Sequence, residues 1–353
     1  MKKQAGTEIV SIVVILTIAL SSTSAWGDDQ RTSWGDPQIE GLWDFRTITP
    51  FQRPAHLADK AVLTPEEARV FRETTIAALN VDNRDDDASV DIEAAYNDAW
   101  YDWGTELTDD LRTSLIIDPP DGRLPELTEQ AAIHMKRHNS LRLPPVRDLF
   151  SFSANPATFR PEGPESFGLS ERCLAGFNAG PPISPSAYNN NLRIVQTPGY
   201  VLLVTEMIHS ARIVPVSGRS HLPDELRLWS GDSIGHWEGD TLVVKTKNFS
   251  DKTSVFQMPV GSIAEATQSG AAGSALTLSL IERFRIDNGT LIYQYTLDHP
   301  ATFTQPFTVE FPMHKSTGRM YEYACHEGNY AILGMLKGAR VMEAEAVQTS
   351  ASN

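Results

Sequence analysis

From Leu192 onward, apolar and polar positions alternate in short runs broken by turn residues, the period of strands half-buried on a core. The runs are Leu192 to Gln196, Tyr200 to Met207, Ala211 to Val216, Glu225 to Trp229, Ser233 to Trp237, Thr241 to Thr246, Ala275 to Ile286, Thr290 to Leu297 and Phe307 to Pro312. Glu238-Gly239-Asp240 and Asn288-Gly289 each fall between two consecutive runs and predict hairpins. Strands joined mostly in sequence predict a mainly β fold, an antiparallel calycin- or lipocalin-like barrel or a sandwich. No strand-helix-strand alternation is visible. G-x-G-x-x-G after a strand, the P-loop, H-E-x-x-H and G-x-S-x-G are all absent, so the common nucleotide, zinc-protease and hydrolase-elbow readings lack their signatures.

Before Asn189 the pattern is helical or irregular. Thr64 can cap, Pro65 suits a first turn and Glu67 can close a capping box, which predicts a helix from Pro65 to Leu79. Ile92, Tyr96, Ala99, Trp100 and Trp103 share a helical face that needs a surface to pack on, and Glu129 to Asn139 is a third helical pattern. Leu115-Ile116-Ile117 reads as a strand stopped by Asp118-Pro119-Pro120-Asp121-Gly122. Residues 144–187 hold too many prolines for a long helix or central strand, yet also Phe150, Phe152, Phe159, Phe167 and Phe177. They predict an ordered wrap on the sheet. The expected division is a signal peptide at 1–25, a helical and irregular Pro-rich N-terminal wrap at 26–187, a barrel at 188–335 and a tail, helical or disordered, at 336–353.

Composition narrows the class. Hydrophobic content of 41% against 21% charged residues in 353 can build a core. A net charge of −15 with no basic patch excludes nucleic acid as a natural partner. Lys2 and Lys3, the apolar run Ile9 to Leu20 and the small residues Thr23-Ser24-Ala25 read as a secretory signal cleaved near Ala25. The run is too short to span a bilayer, so no membrane insertion is expected after cleavage, and the destination is the periplasm or the exterior. Loss of Lys2, Lys3 and Glu8 would make the charge −15 − 2 + 1 = −16. In an oxidising compartment Cys173 and Cys325, the only cysteines, are expected to form a disulfide, buried free thiols being the alternative.

Candidate chemistry lies in four stretches. Glu206, His209 and Arg212 flank the apolar run Tyr200 to Thr205, where a carboxylate, an imidazole and a guanidinium offer a base and an anion clamp. Strand alternation puts Glu206 on the face of Tyr200, Leu202 and Val204 and His209 on the opposite one. The plainer alternative is a Glu206 to Arg212 ion pair stitching strands. His236 stands near Trp229 and beside Trp237, as in an aromatic pocket or a solvent-facing hairpin, and Tyr323 and His326 flank Cys325 as possible donor and acid. Tyr188 and Asn190, leading into a strand at a barrel rim, can bond a ligand's oxygens or simply form a turn. His209, His221, His236 and His326 lack the close pairing of a metal site, so neither metal nor organic cofactor is expected.

Gly41-Leu42-Trp43-Asp44-Phe45-Arg46, Tyr188-Asn189-Asn190-Asn191, Ile208-His209-Ser210-Ala211-Arg212, Gly235-His236-Trp237-Glu238-Gly239-Asp240-Thr241-Leu242-Val243-Val244 and Tyr323-Ala324-Cys325-His326-Glu327-Gly328-Asn329-Tyr330 resemble a large family of exported proteins of soil and sphingomonad-type bacteria, most without an assigned activity. The chain is also similar to cofactor-independent lyases that take a one-carbon group from lignin-derived phenylcoumaran dimers, a similarity that carries over no catalytic residue. The expectation is an exported lyase acting by acid and base chemistry on an aromatic small molecule in a barrel pocket. Glu206 or His209 would be the base, Arg212 the clamp, and His236 and Tyr323 donors. The alternatives are a non-catalytic periplasmic binding protein for an apolar or aromatic molecule, and an envelope structural protein.

Overall fold

The computed structural model describes residues 31–80, 101–139, 160–176, 178–257 and 271–351. The signal segment, the pattern at Ile92 to Trp100 and Phe150, Phe152, Phe159 and Phe177 lie outside them. The chain divides at Gln38. In the short unit before it, Asp36 N donates to Thr32 Oγ1 at 3.0 Å and Trp34 Nε1 to Asp36 Oδ2 at 2.9 Å.

From Ile39 the strands are β1 (Gly41–Asp44), β2 (Ile116–Asp118), β3 (Asn191–Thr197), β4 (Tyr200–Thr205), β5 (Ala211–Pro215), β6 (Asp232–Glu238), β7 (Thr241–Lys247), β8 (Ser254–Gln257), β9 (Ala271–Ser274), β10 (Ser279–Asp287), β11 (Thr290–Asp298) and β12 (Phe307–Lys315). A single antiparallel sheet runs β5-β4-β3-β1-β12-β11-β10-β7-β6, with β2 paired to β12 and β8-β9 a separate hairpin. Hairpins form where the turn residues place them, Glu238 opposite Thr241 and Asp287 opposite Thr290. The nine-strand path curls into a nearly closed barrel.

Its ends, β5 and β6, share no backbone ladder among the described residues and are joined by side chains. Arg212 Nη1 reaches Ser233 Oγ at 3.4 Å, and Val214 and Val216 pack over Gly235, where an added Cβ would lie 3.0 Å from each. A side chain there would press on both valines, so the glycine eases the close approach of the two ends.

Alternation sends Leu280, Glu282 and Phe284, then Leu291, Tyr293, Tyr295 and Leu297, then Phe307, Val309, Phe311 and Met313 to the interior. The described end of the wrap enters this core: Ile183 N donates to Tyr293 Oη at 3.0 Å and Ser184 Oγ lies 3.4 Å from Tyr295 Oη. Helix α1 (Pro65–Leu79) carries the capping box at Thr64 and Glu67. There Lys60 and the Thr64 donors pull the Glu67 carboxyl down to about 2. Helices α2 (Glu129–Asn139) and α3 (Ala331–Ala351) complete the body. The expected disulfide is present, Cys173 to Cys325.

Three expectations need correction. Residues Glu225 to Trp229 form no strand: the segment turns at Leu226 N to Pro223 O, Leu228 makes one isolated bridge to Phe249, and Leu226 and Leu228 point to solvent. The run from Ala275 begins as a 3-10 turn capped by Ser274, and the strand starts at Ser279. The barrel is also not confined to 188–335, because β1 is seated between β3 and β12. The tail from 336 is helical within α3.

His299 is 3% exposed and held between Thr277 Oγ1 and Thr302 Oγ1, each at 3.0 Å. Burial lowers its pKa from 6.5, against a smaller opposing pull from Asp298. A neutral buried imidazole contributes its full stability above the unfolded value of 6.5 and loses it as pH falls toward the lower folded value. The melting temperature should therefore drop on acidification below pH 6.5, and His299→Gln should flatten that fall. Parallel curves for the two proteins would remove His299 as a cause.

Candidate ligand site

A cavity of about 870 Å³ opens between α1, residues 101–111 and the outer ends of β1 and β12. Helix α1 turns Ala68, Arg72, Ile76 and Leu79 toward it, the 3.6-residue spacing of one face. The 101–111 segment has no regular structure and is fixed by bonds to neighbouring backbone. Asp102 N donates to Ala187 O at 2.6 Å, Ile48 N to Glu106 O at 3.0 Å, and Thr108 N to Thr49 Oγ1 at 2.9 Å. Gly104 has φ +83, and an added Cβ there would sit 2.9 Å from Arg46 Cβ, so this wall needs glycine on both counts.

The cavity's charges are largely compensated. Arg46 Nε bonds both Asp44 carboxylate oxygens at 2.9 and 2.8 Å, and its Nη1 meets Asp102 Oδ1 at 2.5 Å. These partners, Asp44 foremost, raise the Arg46 pKa against its partial burial. Arg72 pairs with Glu106 at 3.0 Å, and Arg69 with Glu66 and Glu73. One wall is aromatic: Trp103 stacks on Tyr101 with centroids 5.4 Å apart and planes 8° from parallel. Tyr101 meets Tyr188 at 6.4 Å, and Tyr188 stacks on Tyr323 at 6.4 Å. The lining thus sets aromatic faces beside charges that are already matched within the protein.

The residues singled out in the sequence fall in separate places. Tyr188 and Tyr323 join the ring row that reaches the cavity. Glu206 is buried at the end of β4, Oε2 accepting from Asn191 Nδ2 at 2.7 Å and Oε1 from Tyr321 N at 2.9 Å. His209 does not take its alternating strand position. The chain leaves β4 after Thr205 in a 3-10 turn, with Ile208 at φ 47 and His209 at φ 42, which carries His209 to the surface. Positive φ is costly for a β-branched residue, and the turn is held by Thr205 N to Ser210 O at 2.9 Å.

Arg212 does not pair with Glu206. It is buried inside the barrel, where Nη1 and Nη2 bond Glu282 Oε2 and Oε1 at 2.7 and 2.8 Å. Tyr293 Oη donates to Glu282 Oε1 at 2.7 Å. Burial works against the Arg212 charge, but Glu282 outweighs it and the pKa is raised; burial first and then Glu282 push the Tyr293 phenol well above its usual range. His236 is exposed on the outer face of β6, its Nε2 3.0 Å from Glu238 Oε1. Asn190 is fully buried and spans Ser186 N, Ser186 O and Asp102 O, a structural bracket. Trp237 is packed against the core, Trp229 O accepts from Thr253 Oγ1, and His326 is exposed. Among the described residues no group of three or more His, Cys, Asp or Glu is placed to hold a metal ion.

Sequence reasoning missed Glu282, Tyr101, Arg46 and His314. Trp103 stood out as an aromatic in need of a surface, and Arg46 closes the Gly41-to-Arg46 motif, which were the available signals.

No family model matches the chain, and no curated protein matches it. Solved structures similar in part are those of the fluorescent protein UnaG. The wild type is 13% identical, covering 42% of this chain and 90% of that one at a TM-score of 0.21. An Asn-to-Ala variant is 14% identical, covering 43% and 88% at 0.22. At that degree of superposition the likeness adds no weight to the barrel, which rests on the strand pairing above.

Proposed function

We propose that the protein is an exported binding protein for a neutral aromatic small molecule, held in the cavity beside the barrel. The observation that carries this reading is the cavity's lining, a stacked Trp103–Tyr101 wall facing arginines already matched by carboxylates. A single disulfide agrees with an oxidising compartment. The probe is 2-naphthol, titrated against intrinsic fluorescence. Trp103→Leu should weaken its binding about tenfold by removing the stacking face while the melting temperature holds. Equal affinity in the two proteins would defeat the assignment.

One observation favours a lyase instead. Asp44 and His314 are direct cross-strand partners and both line the cavity, which places a carboxylate and an imidazole together where a ligand's protons would be. On this reading catalysis runs through His314 rather than His209. Product from an aromatic dimer, lost in His314→Gln with 2-naphthol affinity kept, would decide for it.

A further inference from the structure

The segment Tyr321–Tyr330 has no regular backbone ladder to hold it. It is pinned at one end by Tyr321 N on Glu206 Oε1, 2.9 Å, and further along by Cys325 bonded to Cys173. Asn329 Nδ2 adds a bond to Glu171 O at 2.7 Å. Between the first two pins lies Tyr323, stacked on Tyr188 at 6.4 Å and 17°. Tyr188 in turn meets Tyr101, the ring beneath Trp103 in the cavity wall. Glu206 itself is 4% exposed, and each of its oxygens accepts one N–H, from Tyr321 and from the Asn191 amide. A buried carboxylate satisfied by two neutral donors holds both more tightly than a neutral acceptor would.

We propose that Glu206 is a positioning residue: it latches the disulfide-tethered segment so that Tyr323 braces Tyr188, and through it the Tyr101–Trp103 wall. The ligand consequence rests on the cavity reading above; the latch itself does not. Glu206→Gln offers one acceptor and one amide donor, so it faces one of its two N–H partners with another donor.

The ligand-free test is near-UV circular dichroism read only at its long-wavelength edge, where tryptophan absorbs and tyrosine and phenylalanine do not, so that Trp103 reports on the ring row whichever ring is replaced. Glu206→Gln and Tyr323→Ala should change the spectrum alike, the double variant should change it no further, and Tyr323→Phe should keep the wild-type spectrum. If Glu206→Gln does not fold, Asn191→Ala, which removes only one of the two bonds, takes its place. A wild-type spectrum in the Glu206 variant, or additive changes in the double variant, overturns the latch. Where those spectra uphold the latch, its loss in Glu206→Gln should lower 2-naphthol affinity about tenfold. Failure of wild-type protein to bind 2-naphthol counts against the cavity reading and leaves the spectral result standing.

Discussion

Arg212→Met should destabilise the protein by about 3–5 kcal/mol, because it strands the Glu282 carboxylate inside the barrel with Tyr293 as its remaining side-chain donor. Glu282→Leu should cost a similar amount for the converse reason. Removing both charges together, Arg212→Met with Glu282→Leu, should recover most of the loss, since apolar replacements of similar volume remove the desolvation penalty along with the attraction. Urea denaturation midpoints with a common slope give all three values. Single variants that cost less than about 1 kcal/mol would mean the pair is solvated and not part of the core. The pair also has a mechanical role. Arg212 is on β5 and Glu282 on β10, two strands beyond β6, so the bond ties the sheet together across the seam that lacks a ladder.

Loss of the disulfide is the second large effect. Cys173 and Cys325 are 152 residues apart, and closing so long a loop in the unfolded chain is worth about 4–5 kcal/mol in the chain-entropy account. Cys173→Ser with Cys325→Ser should lower the unfolding free energy by that order, and reduction of the wild type should reproduce it. Thiol labelling of the unfolded, unreduced protein should find nothing; two labelled cysteines would end the claim. A cost below about 1 kcal/mol in the double variant would show that the crosslink does not restrict the unfolded chain as the chain-entropy account requires.

What the sequence made legible was local. The capping box at Thr64 and Glu67 and the turn at Asn288-Gly289 contain their own instructions within a few residues, and the helix and hairpin appear where those residues put them. The alternation in β10, β11 and β12 is long enough to declare its buried face. Strand β1 is only Gly41 to Asp44, too short to show a period, and its pairing is set by β3 and β12 far along the chain. The partner of Arg212 was invisible for the same reason, since nothing near Arg212 in sequence names Glu282. His209 was misplaced because alternation was extended past Thr205, where the strand ends, into a turn in which Ile208 and His209 take positive φ. The cavity escaped because its wall at 101–111 is irregular chain, positioned by bonds to Ile48, Thr49 and Ala187 that no pattern announces.

The seat of β1 sets the order in which the molecule can be assembled. Among the barrel strands Gly41 to Asp44 is made first, yet Trp43 pairs with Leu192 on one side and Lys315 on the other. The hairpins between β3 and β12 can form among near neighbours, but the two halves of the sheet join only when the earliest barrel strand meets both β3 and β12. Until then β3, and β12 beyond its short pairing with β2, present bare edges to any passing chain. The slow step of folding should accordingly be the docking of the N-terminal strand, and substitutions at Trp43 should slow refolding more than equally buried substitutions within the β10–β11 hairpin.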